Sequence, residues 1–161
     1  MLDKGRIGYS APPVTTEVEK GAIRKFAEAI GDLNPLYLDE DAAGRGPFGA
    51  IVAPPTFVQT LLAESNAQVR KTLVFDAKKL LHGEQRYKYF KPVRAGDRIT
   101  CVSRIADIYE KGGSSGMMDF FVVETTGKDQ NGKDVFAAGR AGTILHYDGK
   151  AWSTMSVGVS R

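Results

Sequence analysis

The feature that most constrains the fold of this chain is a change of pattern near residue 72. Before it lies one strongly apolar helical stretch, which follows two prolines and contains Phe57, Val58, Leu61, Leu62 and Val69. After it come four segments rich in β-branched and aromatic residues, near 80–91, 97–109, 116–127 and 134–147. Because the helix is apolar over a wide arc, it must be covered on several sides, and the strands can cover it.

A shorter helix is predicted before the apolar one. Ile23, Phe26, Ala27 and Ile30 recur at helical spacings in this segment. Thr16 and Glu19 have the spacing of a capping box, and Gly31 is the residue type that favours a left-handed helix end. Between the later segments, turn formers such as Asn131-Gly132 indicate hairpins.

Helices first and hairpin-linked strands afterwards indicate an α+β domain with an antiparallel sheet. A curved antiparallel sheet wrapped around one long central helix is the plan of the hot-dog fold. With 161 residues the chain has the size of a single domain, and we expect that domain to span residues 1–161. The area scaling buries roughly 69% of the surface of a chain of this length, which is enough for a core.

Composition excludes several classes of protein. The chain is 42% hydrophobic and 25% charged, which fits a globular protein rather than a disordered, collagen-like or coiled-coil chain. One cysteine, Cys101, and two distant histidines, His82 and His146, argue against a disulfide or a metal site. The net charge of +3 is scattered, so we expect no nucleic-acid partner. We also expect no cofactor, no membrane span and a cytoplasmic location.

The open edges of the predicted sheet favour assembly. An unpaired edge strand presents backbone N–H and C=O groups that another strand can bind. We therefore expect a dimer, formed either with a second copy or with a related hot-dog chain, in which the sheet continues across the interface.

The most informative motif follows the first helix and reads Gly31-Asp32-Leu33-Asn34-Pro35-Leu36-Tyr37-Leu38-Asp39. It resembles the active-site segment of the MaoC-like (R)-specific enoyl-CoA hydratases and 3-hydroxyacyl thioester dehydratases, Gly-Asp-x-Asn-Pro-x-His-x-Asp. Asp32 falls on the catalytic aspartate of that family and Asn34 on its accompanying asparagine. Tyr37 stands where the family has its catalytic histidine.

Other segments extend the resemblance to the N-terminal, FAS1-like dehydratase branch of the family. Ala53-Pro54-Pro55-Thr56-Phe57 looks like the opening of its central helix, and the segments 81–85 and 89–97 look like its second strand and following turn. Gly139-Arg140-Ala141-Gly142 is similar to its last strand. Members of this branch are often half of a double hot dog or one subunit of a heteromeric dehydratase.

The resemblance implies reversible addition of water across the C2–C3 double bond of an acyl thioester carried by CoA or acyl carrier protein. It assigns catalytic roles to Asp32, Asn34 and Tyr37, and His82 is a candidate substitute for the missing histidine. The implied substrate-binding residues lie at the start of the central helix and on the next strand: Pro55, Thr56, Phe57 and Tyr89. Backbone N–H groups near Thr56 and Phe57 are the expected donors to the thioester oxygen, because prolines have none.

Tyr37 leaves two functions open. A phenol with a pKa near 10 is ionised about one part in a thousand at pH 7 and is a poor general base. Either the chain is itself a hydratase or dehydratase, aided by His82, or it is a non-catalytic acyl-binding subunit whose partner supplies the base. A third reading, a thioesterase, has only Gln59 and Glu64 on the long helix to support it.

Structural explanations compete with these roles. Asp and Asn favour turns, so Asp32-x-Asn34-Pro35 is also a plausible helix-ending turn. For His82 the structural explanation is a solvated or interface position on its strand, which is the commoner place for such a histidine. The basic residues Arg86, Lys88, Lys91 and Arg94 are placed to meet a CoA or carrier phosphate, yet alternating basic residues on a sheet edge are usually solvated.

Overall fold

The computed structural model describes residues 2–113 and 116–144. It contains five strands and four α-helices in these ranges. The strands are β1 (Val14–Glu17), β2 (Leu80–Tyr89), β3 (Arg98–Gly113), β4 (Gly116–Lys128) and β5 (Asp134–Ile144). The helices are α1 (Lys20–Ala29), α2 (Pro35–Leu38), α3 (Glu40–Arg45) and α4 (Val58–Arg70). Short 3-10 turns cover Lys4–Arg6, Pro55–Phe57 and Ala77–Lys79.

All five strands form one antiparallel sheet in the order β1-β3-β4-β5-β2. The long helix α4 packs chiefly against β3 and also contacts β4 and β1. The predicted α+β class, with an antiparallel sheet packed on one long helix, is therefore confirmed. The sheet ends in two edges, β1 and β2, and β2 is the longer of the two, with ten residues.

Helix α4 is held to the sheet by apolar packing and by a buried polar cluster. Val58, Leu61 and Leu62 enter the core, where they meet Phe136 and the start of β3. The Asn66 Oδ1 accepts hydrogen bonds from the hydroxyls of Ser103 at 2.9 Å and Thr125 at 3.0 Å. The Ser65 hydroxyl accepts from the Ser103 N–H at 2.9 Å. These directional contacts fix the helix against β3 and β4, because buried polar groups are costly when unpaired. The one cysteine of the chain, Cys101 on β3, is also fully buried in this core.

One local prediction, the capping box of Thr16 and Glu19, was wrong. Thr16 lies in β1 and pairs with Ile99 of β3, so it caps no helix. Glu19 occupies the N-cap of α1, but its side chain makes no capping hydrogen bond. The predicted end of α1 is confirmed, because Gly31 has a φ of 72° and its N–H donates to the Glu28 carbonyl.

Candidate functional site

The polar residues of the 32–39 segment bind their own backbone. The Asn34 N–H donates to Asp32 Oδ1 at 3.3 Å, and the Leu36 N–H donates to Asn34 Oδ1 at 3.0 Å. Asn34 is thus the N-cap of α2, and Asp39 caps α3 by accepting from the Ala42 N–H at 3.0 Å. Asp32 and Asn34 are both exposed. The geometry here supports the helix-ending turn, which needs Asp and Asn for capping alone.

Tyr37 is held differently from its polar neighbours. It is half-buried and packs against the core cluster that contains Val58 and Phe136. Burial, and secondarily the nearby Asp32 carboxylate, raises the pKa of the Tyr37 phenol above its usual value. At neutral pH the side chain is therefore a hydrogen-bonding phenol, and its environment opposes the ionisation that a general base would need.

The start of the central helix is a 3-10 turn at Pro55–Phe57. The Phe57 N–H donates to the Pro54 carbonyl at 2.9 Å, so it is not available to a ligand while this turn persists. The Phe57 side chain is buried and meets Phe26 edge-on, with ring centroids 5.5 Å apart. Thr56, in contrast, is exposed.

Two tyrosines of β2 contact this helix start. The Tyr87 hydroxyl donates to Gln59 Oε1 at 2.9 Å, and the Tyr89 hydroxyl donates to the Pro55 carbonyl. Their rings stack with centroids 6.0 Å apart. Burial, and secondarily Tyr87, raises the pKa of Tyr89 to about 12, so its phenol keeps the proton that it donates.

A cleft of about 520 Å³ opens between α1, the helix start and β2. It combines aromatic, hydroxyl, amide and imidazole side chains, and it is lined by Phe26, Thr56, Gln59, His82, Gln85 and Tyr87. The structure thus brings His82 and Thr56 to one cleft, as a shared site requires. Asp32, Asn34 and Tyr37 are not among the lining residues of this cleft. The expectation that Asp32 faces the same cleft as the helix start stays a prediction.

Pro55 and Tyr89 lie beside a second, mainly apolar pocket of about 380 Å³. Val52, Val58 and Phe90 contribute to its walls. The candidate residues therefore fall into three places: the capped segment at 32–39, the polar cleft and this apolar pocket. Phe57 belongs to none of them, because its side chain lies in the core.

Sequence reasoning missed Gln85 and gave Tyr87 no role, and it noted Gln59 only for a thioesterase. Their spacing offers one signal, since Gln85, Tyr87 and Tyr89 alternate along one face of a strand. Two of the four basic residues noted in the sequence are paired with acidic partners. Arg86 pairs with Glu84, and Lys91 pairs with the buried Asp129.

The hydrogen bond from Lys91 and the backbone N–H of Lys133 lower the pKa of Asp129 to about 2.

Within the described ranges, no group of three or more His, Cys, Asp or Glu side chains lies close enough to hold a metal ion. No helix of the described chain is long and apolar enough to cross a bilayer.

The fold and the helix-start cleft define the class to which this protein belongs. Its structure superposes on a MaoC-like dehydratase with a TM-score of 0.80 and 23% identity, covering 90% of this chain and 44% of that chain. It also superposes on a chain of the HadBC (3R-hydroxyacyl-ACP dehydratase) complex from Mycobacterium tuberculosis. There the TM-score is 0.75 and the identity 26%, covering 86% of this chain and 96% of that chain. The molecule is therefore a hot-dog protein.

The sequence places the chain more narrowly. The model of the FAS1-like dehydratase domain region matches residues 6–138, so the chain belongs to that family. A UPF0336 protein of Streptomyces avermitilis is 39% identical over 142 residues, covering 85% of this chain and 91% of the relative. A UPF0336 protein of Saccharopolyspora erythraea is 34% identical over 140 residues, covering 85% and 87%. The resemblance that the motifs carry is thereby confirmed.

Proposed function

We propose that this chain is a subunit of a cytoplasmic 3-hydroxyacyl thioester dehydratase and that a partner hot-dog chain supplies the general base. The reaction removes a proton from C2 and the hydroxyl from C3 of the acyl group, which leaves a C2–C3 double bond and water. In the reverse direction it is an (R)-specific hydratase. The substrate is an acyl thioester of CoA or acyl carrier protein, and no cofactor takes part.

The observation that carries this proposal is Tyr37 at the histidine position. Burial raises the pKa of its phenol, so at neutral pH even less of it is the phenolate that could accept a proton than in a free tyrosine. Proton transfer by a positioned base contributes about 10²–10⁴-fold to such reactions. Asp32 and Asn34 accept backbone hydrogen bonds of their own turn, which accounts for both residue types without catalysis.

The remaining features suit a chain that binds the acyl group. Pro55 and Tyr89 border an apolar pocket, and Thr56 lies in the polar cleft next to it. The edge strand β2 has ten residues and is largely exposed, which suits pairing with a second hot-dog chain. Two similar structures are complexes by name, HadBC and ChsH1-ChsH2 from Mycobacterium tuberculosis. A heterodimer is the assembly that this function requires, and a homodimer is its alternative.

A second function, catalysis by this chain alone, is favoured by one observation. His82 lines the same cleft as Thr56, and an imidazole is the side chain that most often acts as a general base in proteins. In that case His82 would activate water at the start of α4.

Crotonyl-CoA hydration by the purified chain distinguishes the two functions. We expect the chain alone to be about 10²–10⁴-fold slower than the same chain mixed with a hot-dog partner that carries an intact Gly-Asp-x-Asn-Pro-x-His motif. His82→Gln in this chain should leave the rate of the mixture unchanged. Full activity of the chain alone, abolished by His82→Gln, would contradict the subunit function and establish the second one.

A further inference from the structure

The pairing register of β2 determines which of its side chains face the central helix. In an antiparallel pair, residues directly opposite each other lie on the same face of the sheet. Tyr89 lies opposite Phe136 and Tyr87 opposite Ala138, and both β5 residues are buried in the core. The position of Gln85, two residues further along β2, is on this inner face as well.

A β-bulge then changes the alternation. The register shifts between His82 and Glu84, so Gly83 has no partner on β5. His82 lies opposite Gly142, which is six residues from Phe136 and therefore on the same inner face. In an unbroken strand, positions 82 and 85 would point to opposite faces. The bulge places both on the inner face, and both line the polar cleft.

Gln85 brings an unusual group to this cleft. Its Oε1 is buried, and it has no hydrogen-bond partner within the described part of the chain. A buried acceptor is normally paired, because leaving it unpaired costs free energy. The neighbouring amide oxygen, Gln59 Oε1, already accepts from the Tyr87 hydroxyl.

From this arrangement we propose that Gln85, which lines the cleft, is a substrate-binding residue. A turn of its terminal amide, a soft rotation, brings the covered Oε1 to the cleft, where it accepts a hydrogen bond from an acyl thioester. The inference rests on the proposed function, because it takes the thioester as the ligand. Such a ligand carries two kinds of donor, the 3-hydroxyl of a hydroxyacyl group and the amide N–H groups of the pantetheine arm. Both satisfy the same acceptor, and the bulge at Gly83 presents His82 beside it.

Gln85→Met tests this role, because methionine keeps the length and removes the acceptor. Binding of 3-hydroxybutyryl-CoA and butyryl-CoA to the chain is measured by calorimetry. We expect Gln85→Met to weaken binding about 5–10-fold. A loss confined to 3-hydroxybutyryl-CoA identifies the hydroxyl as the donor, whereas an equal loss for both ligands identifies the pantetheine amide. Without ligand, Gln85→Met should melt at the same or a higher temperature, because an unpaired acceptor is gone.

Glu84→Met is the matched control, because Glu84 is the exposed neighbour on β2 and pairs with Arg86. It should bind both ligands as the unmodified chain does. Unchanged binding by Gln85→Met, or a lowered melting temperature without ligand, would overturn the role of Gln85. So would a shift from dimer to monomer with unchanged ligand binding. If the unmodified chain does not bind thioesters, both the role of Gln85 and the proposed function are contradicted. If the chain alone is fully active and Gln85→Met still weakens binding as predicted, only the proposed subunit function is contradicted.

Discussion

The two stretches that carry the candidate chemistry, residues 32–39 and 82–89, are held in opposite ways. In the first, Asp32 and Asn34 accept backbone N–H groups two residues ahead. In the second, Tyr87 and Tyr89 donate to Gln59 and Pro55, across 28 and 34 residues of sequence. A segment built from local hydrogen bonds keeps its shape without the rest of the site. A group of side chains assembled across the fold keeps its geometry only if the fold holds it.

Under the proposed subunit function, this difference accounts for a motif that persists without carrying out the chemistry. Aspartate and asparagine remain useful at 32 and 34 as turn and capping residues, whatever occupies position 37. The cleft beside β2 depends on the register of a strand, on a bulge and on the start of α4. We therefore expect substitutions in the two stretches to separate stability from ligand binding.

The largest effect is expected at the contact that joins β2 to α4. Tyr87→Phe leaves the half-buried Gln59 Oε1 without its donor, which should lower the free energy of unfolding by about 1–3 kcal/mol. Thioester binding should weaken as well, because Gln59 and Tyr87 both line the cleft. Urea unfolding measures the first effect, with Tyr109→Phe on the exposed part of β3 as the control. If both substitutions have equal effects, the long-range contact does not stabilise the cleft.

A smaller effect is expected in the capped segment. Asn34→Ala removes the N-cap of α2 and should cost about 1 kcal/mol of stability. Asn34→Asp keeps an acceptor oxygen and should recover most of that loss. Neither variant should alter the dissociation constant of a thioester bound in the cleft. A change in binding that Asn34→Asp does not restore would show that the asparagine side chain itself meets the ligand.

A smaller effect is expected from Tyr89, in the dependence of stability on alkaline pH. The pKa of Tyr89 is raised to about 12, so the folded state favours its protonated form. Stability should therefore decline as pH rises from the unfolded value near 10 through 12. Urea midpoints measured over this range should fall less steeply for Tyr89→Phe than for the unmodified chain. Identical slopes would mean that the Tyr89 phenol is not buried beside Tyr87 in solution.

Much of the fold is predictable from local sequence, because β3 and β4 are rich in β-branched and aromatic residues, turn formers separate the strands, and α4 has a clear apolar pattern. β1 was missed for a physical reason. Val14–Glu17 has only four residues, and it becomes a strand through pairing with β3, more than eighty residues away. Thr16 of this strand and Glu19 after it have the local pattern of a capping box, so a non-local contact overrode a local preference.

The candidate site was predictable only in part. His82, Thr56 and Tyr89 were identified from the family pattern, but Gln85 was not. Positions 82 and 85 are three residues apart, which in a regular strand puts them on opposite faces. Their meeting depends on the bulge at Gly83, and that bulge is visible only in the register of β2 against β5.

Asp32→Asn, made in this chain and assayed in the complex with a catalytic hot-dog partner, tests the central claim most directly. The account predicts a crotonyl-CoA hydration rate within about twofold of the unmodified complex, because the asparagine oxygen still accepts the Asn34 N–H and the partner holds the base. The equivalent substitution in the partner's own motif should abolish activity. A fall of about 10²-fold or more from Asp32→Asn in this chain would contradict the account, because it would show that Asp32 takes part in proton transfer.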